Sequence, residues 1–167
     1  MLLALKGDAH GFSRIRGILI VADAADDPQR TFRAICDQIR DSGYPVPGSL
    51  GTLAAGSPSI QVMLLPDDAT PGSLETLLVS EILARNAWIS SCLDAYMTCG
   101  SISVKSWSQE KQDKAKYGCL VGALHSEDPS RAASFAFRSP PVVDIGSRVF
   151  DDVEQRILQF CRLVGHA

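Results

Sequence analysis

"GILIVADAADDPQRTF", residues 17–32, decides the fold. From Gly17 to Ala22 the chain is apolar without alternation, the pattern of a strand buried on both faces, as in a parallel sheet. The run ends in Asp23, and Asp26 and Asp27 follow at once. Asp27 is suited to cap a helix whose first position is Pro28, where a missing N–H costs nothing. Phe32, Ile35, Cys36 and Ile39 then recur at helical spacing, and Gly43 ends the helix.

The same grammar repeats downstream. Residues 44–59, "YPVPGSLGTLAAGSPS", read as a long loop or a short edge strand near Leu50–Leu53. "IQVMLLPDD", residues 60–68, is a second buried strand that ends in Asp67 and Asp68. Ser73 caps the next helix, whose stripe is Leu74, Leu77, Leu78 and Ile82, with Glu75 in its first turn. Strand, helix, strand, helix is the signature of a parallel crossover, in which ligand groups gather at the carboxyl ends of the strands. From residue 86 onward the pattern is mainly helical. One helix carries Trp88, Cys92, Tyr96 and Cys99 and closes at Gly100. A second, capped by Ser108, aligns Tyr117, Leu120, Val121 and Leu124, with Gly118 and Gly122 allowing close packing. A short strand is expected in "ASFAFR", residues 133–138, and a loop in "PPVVDIGS". A last helix over 151–164 turns Val153, Ile157, Phe160, Cys161 and Val164 inward. The expectation is one domain of 167 residues: an α/β part over about 12–85 and a helical part over 86–167.

Bulk properties narrow the function. Apolar residues make up 46% of the chain and charged residues 21%, so a core is available and wholesale disorder is excluded. A net charge of -3 gives no general attraction to nucleic acid or anionic membrane. No apolar run approaches the roughly 20 residues that span a bilayer. The opening "MLLALKGDAHGF" is too short an apolar stretch for a signal peptide, and a cytoplasmic protein is expected. The five cysteines form no CxxC pair, and four fall on apolar helix faces, so they read as buried thiols. His10, His125 and His166 form no cluster and read as surface residues.

The carboxylates carry whatever chemistry is legible. Asp23 follows the first strand, Asp67 and Asp68 follow the second, and Glu75 lies just beyond. On one sheet edge these groups repel unless a cation is present. Mg²⁺ suits such hard oxygen ligands and keeps waters that a phosphate can replace. The plainer readings stand beside this one. Asp26 and Asp27 cap a helix, Asp67 and Asp68 shape a turn, and Glu75 answers a helix dipole. Asp23 is the hardest to explain away, because it ends a buried strand four residues before the cap.

"ILIVADAADDPQRTFRAI", "VMLLPDDATPGSLETLL" and "DKAKYGCLVGAL" together resemble an uncharacterised bacterial family with a toprim-like domain. Toprim domains occur in topoisomerases, primases and overcoming-lysogenization-defect nucleases. The resemblance covers about residues 12–164, and "LPDD…GSLE" is its most specific part. It implies a small, mostly parallel sheet flanked by helices, with a helical C-terminal half. It also implies divalent-metal chemistry on phosphodiesters, with Asp23, Asp67, Asp68 and Glu75 as metal ligands and Lys114 at a basic position of a late helix. The sequence departs from the family pattern twice. Ala25 stands where the second acid of Asp-x-Asp belongs, with Asp26 one place off, and the sixteen residues before Gly17 hold no glutamate-bearing strand. Three functions follow as expectations. The first is a Mg²⁺-dependent, nuclease-like domain acting on nucleic acid. The second is an interaction module with degraded chemistry that binds a protein or nucleic acid. The third is a receiver-like phosphoacceptor centred on Asp23, for which "SISVKSW" is a poor match. A homodimer through a sheet edge or the C-terminal helices would cover leftover apolar surface.

Overall fold

In a computed structural model the chain is an α/β protein, and the structure describes residues 15–99, 104–125, 136–137 and 141–165. Strand β1 (Gly17–Asp23) is followed by helix α1 (Pro28–Asp41), strand β2 (Ser59–Leu65) and helix α2 (Leu74–Arg85). Helices α3 (Ser90–Thr98), α4 (Gln109–Leu124) and α5 (Asp151–Gly165) make up the second half. The two strands pair in parallel, from Gly17 with Ser59 to Asp23 with Leu65, as a crossover through α1 requires.

Local chemistry explains the first helix. The Asp27 side chain accepts the N–H of Arg30 at 3.0 Å, and Pro28 occupies the first turn. Phe32, Cys36 and Ile39 are buried against the sheet face formed by Ile18, Ile20, Ala22, Ile60, Val62 and Leu64. Gly43, at φ 73°, donates its N–H to Arg40 and stops the helix. β2 is buried along its whole length, whereas β1 is half-buried and leaves Val21 47% exposed. The expectation of two fully buried strands therefore holds for β2 alone.

The outer edge of β2 is covered without a third strand. Ala54 and Ile60 exchange backbone bonds, and Gly51 donates to the Val62 carbonyl. The Asp68 carboxylate accepts the Leu64 N–H at 3.0 Å, and Arg156 of α5 donates to the Leu64 carbonyl at 3.2 Å. The loop over 44–58 thus supplies a single bridge at Ala54 rather than an edge strand near Leu50–Leu53. Among the described residues, the outer edge of β2 is thus occupied from within the chain.

A second core lies among the helices. Leu78, Val79 and Ile82 of α2 pack with Leu93 of α3, with Tyr117, Leu120 and Val121 of α4, and with Val142 and Val143. The α2 stripe is rotated from the expected one. Leu74 is exposed, while Val79 and Glu81 are buried, the acid paired with Arg85. The cysteine expectation also fails, since only Cys36 is buried and Cys92, Cys99 and Cys161 are exposed. Tyr96 and Trp88 are exposed with them, because α3 has packed through Leu93 and Met97 instead. His125 is buried, contrary to its surface assignment, while His10 and His166 lie outside the described residues. A Cβ on Gly118 would meet open space, so that glycine does not serve close packing. Of α5's expected inward residues, Phe160 is buried, Val153 and Val164 are half-buried, and Ile157 and Cys161 are exposed. Ala136–Phe137 lie in a 3-10 turn, and the rest of "ASFAFR", like Gly100, falls outside the described residues.

Candidate functional site at the carboxyl edge of the sheet

The loops leaving β1 and β2 are joined by backbone. Ala25 donates to the Gly72 carbonyl and Gly72 to the Ala25 carbonyl, both at 2.8 Å. The join needs unusual backbone on both sides: Ala25 sits at φ 55° and Gly72 at φ 146°. Gly72 has no room for a side chain, since a Cβ would lie 2.6 Å from Thr76 Oγ1 and 2.9 Å from Pro66 Cδ. The pairing brings the end of β1 against the first turn of α2.

Asp23 is placed by that junction. One carboxylate oxygen accepts the N–H of Leu74, the first residue of α2, at 2.9 Å. The other faces Lys114 Nζ of α4 at 3.6 Å. Lys114 is also hydrogen-bonded to Glu110 one turn earlier on α4. The Lys114 pKa is raised, first by the Glu110 hydrogen bond, against some desolvation, and then by the charges of Glu75, Glu110 and Asp23. Two acids, Asp23 of β1 and Glu110 of α4, therefore contact one ammonium.

A buried polar network supports the same corner. Asp113, 3% exposed, accepts from Thr76 Oγ1 at 2.6 Å and from Gln109 at 2.9 Å. Thr76 Oγ1 in turn accepts the Ser73 N–H at 3.0 Å. This network fixes α2 on α4, and hence Lys114 opposite Asp23. Tyr117 lies one turn further along α4. Burial raises its pKa, and the charge of Glu75 adds to the effect.

The remaining sequence candidates go elsewhere. Asp67 closes its own turn, accepting the N–H groups of Ala69 and Thr70, both at 2.7 Å. Asp68 is bound by Arg156 and by the β2 backbone. Asp26 is exposed in the turn before α1. Asp23 thus faces Lys114, whose pKa the Glu75 charge also raises, while Asp67 and Asp68 are held elsewhere. Among the described residues, no group of three acids, histidines or cysteines is placed to hold a metal ion. The donor set explains why. Asp23 is committed to a helix terminus and an ammonium, and Asp68 to a guanidinium. These side chains, as placed, do not fit a divalent cation.

Sequence reasoning missed Glu110, Asp113, Thr76 and Arg156. Two left a signal. Glu110 and Lys114 are an i,i+4 pair with the acid first. Asp113 begins the apolar stripe that continues through Tyr117, Leu120 and Leu124, an odd place for an acid unless it is bonded.

A separate surface lies on α3, the 3-10 turn Ala87–Ile89 before it, and α4. Ile89, Leu93 and Leu120 floor a groove of about 320 Å³, and Trp88, Cys92 and Tyr96 rim it. Trp88 is 69% exposed and Tyr96 46%.

The chain belongs to the DUF3226 family of proteins of unknown function, whose family model matches residues 2–160. No curated protein and no solved structure matches it.

Proposed function

We propose that this DUF3226 member is a toprim-like interaction module whose acidic edge no longer does metal chemistry and whose partner is another protein. The observation that carries the reading is the ion pairing of the edge. Asp23 faces Lys114 and Asp68 faces Arg156, so the acids that would hold a catalytic cation are neutralised from within. Ala25, where the toprim pattern has its second acid, agrees with this. The groove rimmed by Trp88 and Tyr96 supports a protein partner. Exposed Trp and Tyr beside a desolvated apolar floor are the residue types that dominate binding energy at interfaces. The net charge of -3 gives nucleic acid no comparable attraction.

Two measurements test this. Single- and double-stranded DNA and RNA, incubated with the protein and Mg²⁺, should remain uncut. Mg²⁺-dependent cleavage lost in Asp23→Ala would overturn the reading in favour of a nuclease. A photo-crosslinking residue at Tyr96 should capture, in cells, a protein other than a second copy of this chain, and Trp88→Ala should reduce capture at least tenfold, about 1.4 kcal/mol. Self-crosslinking alone would replace the partner with a homodimer.

A further inference from the structure

The geometry points to Lys114 as a tethered counter-cation. Its ammonium bridges Asp23 of β1 and Glu110 of α4, in the position a bound cation would take. The inference deepens the reading of that edge given above. It does not depend on the partner groove.

Three observations converge on it. Lys114 reaches Asp23 across a long sequence separation, from α4 to the end of β1. It is bonded at the same time to Glu110, so the ammonium bridges two acids rather than pairing with one. It does this while only partly buried, with 43% of its side chain exposed, where a lone surface lysine would stay solvated. The corner around it is built rather than incidental, since the Asp113–Thr76–Ser73 bonds fix α4 against α2. A tethered lysine differs from a metal in what it can do. It neutralises charge with up to three donors, but it offers no open coordination position to polarise a phosphodiester. The lysine therefore preserves the fold of the edge while closing it to metal.

Removal of the ammonium should uncover the acids. Lys114→Met leaves Asp23 and Glu110 without the ammonium that bridges them. Mn²⁺, which accepts carboxylate oxygens, is the probe. The Lys114→Met melting temperature should rise with MnCl₂ by about 3–6 °C at metal ten times its dissociation constant, relative to NaCl of matched ionic strength. Wild type should show no such rise. Lys114→Gln should behave as Lys114→Met does, and Lys114→Arg, which keeps a cation, as wild type does. Adding Glu110→Gln to Lys114→Met should abolish the effect. If neither Lys114→Met nor Lys114→Gln responds, the tethered-cation inference falls while the inert edge stands. If Lys114→Arg responds as strongly as Lys114→Met, the inference also falls. If wild type itself responds and Asp23→Ala removes the response, both the inference and the inert edge fall.

Discussion

Asp67 was a candidate metal ligand, yet its carboxylate turns back on its own loop. Burial alone would raise its pKa. The N–H groups of Ala69 and Thr70, the Thr70 hydroxyl and the charge of Arg156 outweigh that and bring it below the ordinary carboxylate value. A depressed folded pKa stabilises the protein above the unfolded value, and the stabilisation disappears as pH falls through the folded one. Asp67→Ala should therefore lose about 1 kcal/mol at neutral pH. The gap from wild type should close as urea titrations move below about pH 4. A gap independent of pH would mean that the carboxylate's charge is irrelevant to the turn. This role was legible, because a carboxylate after proline is a turn residue on its chemistry alone. The Asp27 cap was legible for the same reason, since its partner is three residues away. The Asp23 partners were not. Leu74 and Lys114 are brought to it by topology, and no local pattern encodes a bond across 51 positions.

Among the helices, α5 shows how packing departs from pattern. Its amphipathic spacing was readable, but the surface it meets was not. It lies over Gly17 of β1, where an added Cβ would come within 2.6 Å of Val164 Cγ2 and 3.0 Å of Phe160. Valine is stiff at χ1 and cannot swing aside. Gly17→Ala should therefore cost about 1–3 kcal/mol as overpacking. Val164→Ala added to it should recover part of that loss, giving a negative coupling in a double-mutant cycle. Additive effects would show that α5 does not rest on Gly17. A glycine opening an apolar strand reads only as a weak strand residue until its neighbour is known. The α3 stripe was misread by a related route. Trp88, Cys92 and Tyr96 recur at i,i+4 and read as a core face, but the helix buries Leu93 and Met97 instead. Periodicity gives a stripe without saying which of two stripes faces inward.

Two apolar cores meet in this chain, one between the sheet and α1 and the other among α2, α3 and α4. Polar contacts join them: the Ala25–Gly72 backbone pair and the Asp23 carboxylate on the first turn of α2. Arg156 adds a further tie from α5 to the end of β2. Sequence reading foresaw an α/β part followed by a helical part, and it foresaw acids at the carboxyl edge of the sheet. It assigned those acids to a ligand, when most of their bonding is to the protein itself. Both tryptophans, Trp88 and Trp107, lie in the helical half, so fluorescence reports the unfolding of that half while far-UV circular dichroism reports the whole chain. In wild type the two signals should trace one urea transition, because a two-state domain unfolds with coincident probes. Asp23→Ala removes a bond to a helix N-terminus and should lower stability by about 1 kcal/mol, within the range for lost caps. Its transitions should nevertheless stay coincident, because the Ala25–Gly72 pair still ties the two cores. Fluorescence and dichroism midpoints that separate in Asp23→Ala would show instead that this one carboxylate holds the two cores in a single cooperative unit.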